Sequence, residues 1–310
     1  MKSLWIVAFI LVGLIALGFV LMPRLRASHR AAAASAPAPS AQVASPAIVE
    51  AALLPYREAL EASHRPVVRI ALVEFPADDL LASKVGGRAW WPQGEPVPVG
   101  EDGEPLILLA QLDFGEMPSS SQYPASGLLQ FFIGGDDHYG ANFEGELSEA
   151  NLSRQRNFRV VYWPNTSGAS QALPVRVDGQ AIAPHSPGSP RRMRFTAGME
   201  RLSSADYRFG PLVGGNAYET FEAWAKANGH DEGIVDDVFQ RLEGGGHKFG
   251  GYPHFAQSDP RQGGPLELLL QLDTDEHMMW GDSGVAGFFI DPADLARGDF
   301  SRVMYHWDCY

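Results

Sequence analysis

Apolar residues along this chain fall into several patterns, and each predicts a different element. Residues 4–22 (LWIVAFILVGLIALGFVLM) are 19 positions without a charge. A helix of that length reaches roughly 28 Å and is apolar on every face, enough to cross a hydrocarbon core of about 30 Å. Short continuous apolar runs follow at 67–73, 106–112, Leu128–Ile133, Phe158–Trp163, 266–272 and Val285–Ile290. Runs of that length predict strands, and those without polar alternation predict strands covered on both faces. The alternation in RRMRF (191–195) predicts a strand with Met193 and Phe195 inward and the arginines in solvent. A helical period takes over at 216–228, with Tyr218, Phe221, Trp224 and Ala225 on one face and Asn216 as N-cap. It continues at 231–243, with Ile234, Val235, Val238, Phe239 and Leu242 inward and Asp231 as N-cap. A further helix is predicted over 48–63, with Leu53, Leu54, Tyr56 and Leu60 as its apolar set, and helical turns at 78–82 and 292–296. Strands at 175–177 and 302–307 complete the reading, and 134–157 reads as a loop.

The pattern occurs twice. Lys84, Gly86 and Gly87 match Lys248, Gly250 and Gly251 at a spacing of 164 residues. Leu106, Leu108, Leu109, Gln111, Leu112 and Asp113 match Leu266, Leu268, Leu269, Gln271, Leu272 and Asp273 at 160. Gly127, Phe131, Phe132 and Ile133 match Gly284, Phe288, Phe289 and Ile290 at 157, and Arg159-Val160 match Arg302-Val303 at 143. Order is kept while the spacing shrinks, so the length changes fall in loops. Two copies are too few for a solenoid. The expected fold is α+β and mainly β, an internally duplicated pseudo-symmetric domain with a few flanking helices, preceded by one transmembrane helix. Three regions follow: an anchor with a basic flank at 1–30, an Ala/Pro/Ser-rich tether at 31–47, and the folded domain at 48–310 with repeat halves near 83–163 and 247–307.

Charge changes the picture at both ends of the chain. Lys2, Arg24, Arg26 and Arg30 are the basic residues of the first thirty, which contain no acid. The remainder holds 20 basic against 37 acidic side chains, a net charge of −17. Such a body repels phosphate backbones, so nucleic acid is not an expected partner, whereas a basic protein is. The arginines after the apolar run place the body on the cytoplasmic face by the positive-inside rule. A cleaved signal peptide is the alternative, but its apolar region is shorter and a small-residue site follows it directly. A single cysteine, Cys309, excludes an internal disulfide framework and a cysteine-based zinc site.

Candidate chemistry is sparse. HExxH, CxxC, GxSxG and P-loop patterns are absent. Asp273, Asp275, Glu276, His277 and Asp282 fall within ten residues. Oxygen ligands and an imidazole at that density make a candidate site for a divalent cation, although no EF-hand spacing is present. No other cofactor is evident. Trp90, Trp91, Trp280 and His254 are the candidate ligand-binding side chains. Adjacent tryptophans on a strand point to opposite sides, so one of the Trp90-Trp91 pair is expected in the core and the other exposed or covered by the partner half. An aromatic-lined groove between halves is the expected binding place.

The segments GGYPHFAQSDPR, LLLQLDTDEHMMWGDSGVAGFFIDPADL and RFTAGMERLSSADYRF, with the LLAQLDF run of the first copy, resemble the YwqG-like family of bacterial proteins. The resemblance covers roughly residues 75–308. It implies a mainly β, α+β fold with an internal duplication, and a domain of unknown function without an assigned mechanism. Together these readings lead to a bacterial membrane-tethered, non-enzymatic binding or interaction domain, with an immunity or envelope-associated role. The alternative is a hydrolase acting in the cleft between halves through carboxylates and His277 or His254. A purely structural helper subunit is a third reading.

Overall fold

The computed structural model describes residues 45–310, except 78, 121, 177–180 and 262. The stretch at 4–22 lies outside the described residues. Among the described residues no helix is long and apolar enough to cross a membrane.

The chain enters through α1 (Pro46–Leu53), a single 3-10 turn at Leu54–Tyr56 and α2 (Arg57–Ala62). Pro46 sits in the first turn, where its missing N–H costs nothing. Pro55 divides the predicted 48–63 helix into two, and the break turns Leu54 out to 55 % exposure instead of into the core. Then come β1 (Arg65–Glu74), β2 (Lys84–Val85), β3 (Ala89–Pro92), β4 (Ile107–Asp113), β5 (Leu128–Ile133), α3 (Glu149–Leu152), β6 (Phe158–Trp163), β7 (Ser170–Leu173) and β8 (Arg191–Glu200). The second half holds α4 (Phe209–Leu212), α5 (Ala217–Ala227), α6 (Gly233–Arg241), β9 (Lys248–Gly250), β10 (Glu267–Asp273), β11 (Val285–Ile290), α7 (Pro292–Arg297) and β12 (Met304–Asp308).

Ten of these strands make one antiparallel sheet in the order β12-β11-β10-β9-β1-β8-β2-β4-β5-β6. Its centre is the long β1–β8 pair, in register from Arg65 opposite Glu200 to Glu74 opposite Arg191. From that pair two four-stranded arms extend: β2-β4-β5-β6 from β8, and β9-β10-β11-β12 from β1. The sheet curls until the arms face each other. Phe131 on β5 meets Phe288 on β11 at 4.7 Å between ring centroids, and Phe158 on β6 meets Tyr305 on β12 at 5.2 Å. This curl explains the continuous apolar runs. Successive side chains point to opposite faces, so Phe131 and Phe288 enter the central core while Phe132 and Phe289 enter separate clusters on the outer faces. All four are essentially inaccessible to solvent. Helices α1, α2, α5 and α6 contribute to a cluster of their own, around Leu53, Phe221 and Val235.

Positions matched in sequence occupy matched places in the arms. Each arm carries a register shift at the same point, between Leu108 and Ala110 and between Leu268 and Leu270. Lys84 and Lys248 are both fully buried, as are Gln111 and Gln271. Gln111 Nε2 donates to the Leu80 and Ala82 carbonyls, and its Oε1 accepts from Trp90 N–H. Gln271 Nε2 donates to the Gly244 and Gly246 carbonyls, and its Oε1 accepts from His254 N–H. A buried glutamine in an apolar strand is satisfied by the loops it ties down.

Several expectations are corrected. Of the strand predicted at 175–177, residue 177 lies outside the described residues and 175–176 are not in a strand; the strand of this connector is β7, which pairs with Trp90 and Trp91 of β3. The loop at 134–157 contains α3, capped by Ser148 Oγ on Asn151 N–H. The predicted turn at 78–82 is non-helical where described. Arg159-Val160 do not correspond to Arg302-Val303: Val160 lies opposite Phe131, and the residue opposite Phe288 is Tyr305. Asp231 is not the N-cap of α6, which is Glu232; it sits one residue earlier, where its Oδ1 accepts from Gly233 N–H. Tyr218, predicted inward on α5, is 49 % exposed, and Ala217 takes the buried position.

Candidate functional site

A cleft of about 750 Å³ opens between the two arms. Its floor is the start of β1 (Arg65, Pro66), the Gly250-Gly251 turn after β9, and the start of β10 (Glu267, Leu268). One wall is the loop after β4, with Tyr123 and Pro124, together with Tyr162 of β6. The other is α7 with Leu295 and Arg297, backed by Ile290. The site thus draws on both arms and on the central strand.

Local backbone chemistry opens this space. Gly250 and Gly251 have φ of 71° and 74°, a region open to glycine and strained for other residues. A Cβ on Gly250 would run into the Tyr123 hydroxyl, and one on Gly251 into the Glu200 carboxylate. Tyr123 packs edge-on against Phe249 at 4.6 Å and leaves its hydroxyl without a protein hydrogen-bond partner among the described residues. Burial pushes that phenol up to about 12, with the Arg65 charge pulling the other way, so it stays a donor at neutral pH.

Beneath the floor runs a chain of six alternating charges. Arg65 donates to Glu267 at 2.5 Å and lies 3.9 Å above the Tyr252 ring. Arg208 holds the same Glu267 at 2.8 and 3.2 Å and grips Asp206 through Nε and Nη2, both at 2.7 Å. Asp206 also accepts from Arg261 Nη2 at 2.8 Å, and Arg261 in turn holds Asp259. The chain grows more buried inward: the Arg65 side chain is 26 % exposed, that of Arg261 not at all. Burial alone would raise the Glu267 and Asp206 carboxyls. Hydrogen bonds from Arg65 and Arg208 hold the first below its usual range, and Arg208 and Arg261 do the same for the second. Such buried pairs contribute little net stability, but they fix geometry when every member is satisfied. Here they set the rotamers of Arg65 and Glu267, the two charges at the floor.

Among the described residues, the lining holds no histidine, cysteine or serine, and its one carboxylate is clamped ionised by two guanidiniums. Apolar side chains from Leu268, Ile290 and Leu295 face two phenols and the Arg65 and Arg297 guanidiniums, so an apolar body with a hydrogen-bond-accepting head is accommodated.

The residues singled out from sequence lie elsewhere. Trp90 and Trp91 are both buried, and the second ring is covered not by the partner half but by its own arm, where Trp163 packs edge-on against both at 6.0 and 5.1 Å. Trp91 also meets Phe132 at 5.7 Å, in the outer-face cluster of its own arm. Trp280 is wholly buried against Tyr139 and Trp307, its Nε1 without a hydrogen-bond partner among the described residues. His254 pairs through Nε2 with Glu243 at 3.1 Å. None of the four lines the cleft. The five acidic-loop candidates are not brought together either. Asp273 accepts from Gly246 N–H and Thr274 N–H. Asp275 pairs with His247 Nε2 at 3.0 Å and accepts from His277 N–H, and the His247 bond keeps its carboxyl low against the raising effect of burial. Glu276 is 85 % exposed on its side chain and 3.5 Å from His277, and Asp282 is exposed. Among the described residues no three His, Cys, Asp or Glu side chains converge on a point that would hold a metal ion.

The charges that build the floor were missed, although the sequence carried a signal. Asp206-Tyr207-Arg208 and Asp259-Pro260-Arg261 are two Asp-x-Arg triplets. In both, Asp Oδ1 accepts from the arginine's backbone N–H at 3.0 Å and from its Nε. Repeated Asp-x-Arg in otherwise apolar surroundings marks an arginine pre-set by its own neighbour.

Fold and site together define a curled, all-antiparallel β domain with a ligand-sized cleft between its arms. The chain belongs to the family described as a domain of unknown function, DUF1963, whose sequence model matches residues 83–309. No curated protein matches the chain. The matched residues begin after β1, yet β1 is a central strand of the sheet and supplies Arg65. The folding unit of this protein therefore reaches upstream of the family match.

Proposed function

We propose that this protein is a membrane-tethered, non-enzymatic binding domain whose ligand seats in the cleft between the two arms. The observation that carries the reading is the cleft itself: two arms contribute its walls, and a fully paired ion chain presets its floor. A ligand-observed NMR screen of small amphiphilic fragments tests it. Binders should be lost in Leu295→Trp, which fills the α7 wall, and retained in Tyr218→Trp, a change on the exposed face of α5. Equal binding by wild type and Leu295→Trp would remove the cleft from consideration.

The tether is part of the same proposal and rests on the apolar stretch at 4–22. Full-length protein should stay in the membrane pellet through alkaline carbonate, and deletion of residues 1–44 should release it. We place the body on the cytoplasmic side. Cys309 is the single cysteine and is half-buried, so an impermeant maleimide should label it in lysed cells and not in intact spheroplasts. Labelling of intact spheroplasts would reverse the orientation.

We also infer that the two arms are copies of one ancestral unit and that the chain is a YwqG-like member of the family. The matched register shifts, buried lysines and loop-tying glutamines support the first inference. The acidic surface remains the contact we assign to a basic protein partner; the cleft, with Arg65, Arg297 and a neutralised Glu267, does not share that character.

A further inference from the structure

A second recess of about 300 Å³ lies where β8 and α6 end. Three arginines from separate elements line it: Arg69 of β1, Arg201 just after β8, and Arg241 at the end of α6. His64, Glu200 and Glu243 complete the charged lining.

Each acid near the recess already has a partner. Both Glu200 oxygens sit 3.0 Å from the buried Lys248 Nζ, and Glu200 lies 3.6 Å from Arg69. Glu243 pairs with His254, Glu61 with His64 at 3.5 Å, and Glu50 with Arg241 at 3.5 Å. Arg201 makes no hydrogen bond or ion pair to a described residue, and five N–H donors are left for whatever occupies the recess. Residues 1–44 contain no Asp or Glu, so that segment has no acidic side chain to offer them. Burial lowers the Arg201 guanidinium below its ordinary range, Arg241 pushes it the same way, and Glu50 and Glu61 oppose both. A cation set beside a like charge without a bonded counter-ion is an arrangement a bound anion would relieve.

We propose that this recess binds a phosphate-class oxyanion, either inorganic phosphate or a phosphomonoester. Three arginines lining one recess favour a dianion with several acceptor oxygens over a single carboxylate, which one planar fork would satisfy. The volume admits a phosphate and a small esterified group. The site is separate from the cleft between the arms and does not depend on its occupancy.

The test uses the full-length chain in detergent micelles, by isothermal titration calorimetry with sodium phosphate at constant ionic strength, with sodium chloride as control. Saturable binding of phosphate is expected, weakened at least tenfold in Arg201→Gln and in Arg241→Gln. Arg57→Gln, an exposed arginine outside the recess, should bind as wild type. A parallel arm with nanodiscs containing phosphatidic acid or only phosphatidylcholine separates the sources: preference for phosphatidic acid over free phosphate assigns the site to a lipid headgroup, and equal binding assigns it to the free ion. Absence of phosphate-specific heat, or equal affinity in wild type and both recess variants, overturns the proposal.

Discussion

The floor of the cleft and the loop at 273–282 are both rich in charge, and they differ in where that charge goes. In the loop, five candidate ligands crowd into ten residues of sequence, yet Asp273 and Asp275 spend their oxygens on local backbone and His247, while Glu276 and Asp282 point into water. Beneath the cleft, Asp206, Asp259 and Glu267 are dispersed along the chain, and the fold joins them through three arginines into one paired run. Density along a sequence is therefore not convergence in space. A loop satisfies its own carboxylates cheaply, whereas buried acids must recruit cations from other elements.

The largest expected effect breaks the buried run. Asp206→Ala removes the acceptor shared by Arg208 and Arg261, and Arg261 has no access to solvent. Stability should fall by about 3–5 kcal/mol in urea denaturation. A loss below about 1 kcal/mol would show that the run is not a connected unit.

The next effect uses pH. His185 bridges Met278 at the base of the acidic loop, and burial pushes its imidazole down to about 4. Because the folded value lies below the ordinary 6.5, the unfolded chain takes the proton first. The contribution of His185 is intact above pH 6.5 and is lost as pH falls from 6.5 to 4, by up to about 3 kcal/mol. His185→Gln should flatten that part of the stability–pH curve.

Gly250→Val comes third. It places a β-branched residue at φ 71° and a Cβ against Tyr123, for a cost of about 1–3 kcal/mol. It should also disturb the cleft wall, whereas Asp275→Ala, the smallest change, should stay within about 1 kcal/mol and leave the cleft as it was. An Asp275→Ala loss larger than that of Gly250→Val would point to a structural ion at the loop.

The sheet was legible because its strands are buried on both faces. Phe131-Phe132 and Phe288-Phe289 each feed two clusters, which leaves uninterrupted apolar runs that no surface strand would show. β2, β3 and β9 were not legible, being two to four residues long, and two of them carry a buried lysine that reads as a surface residue. Trp90 and Trp91 lie away from the cleft because the ring that covers both, Trp163, comes from their own arm and not from the partner half. A groove between the halves was expected, but its lining was hidden for a topological reason. Its lining comes from the start of β1, the loop after β4, β6, β9, β10 and α7, segments that meet only because the sheet curls.

Soaking crystals of residues 45–310 with a fragment library, and mapping where density appears, tests the central claim most directly. The account predicts that fragments gather between Tyr123 and Leu295, with polar atoms on Arg65 or the Tyr123 hydroxyl. Fragments that avoid this cleft and cluster over the loop at 273–282 would contradict it.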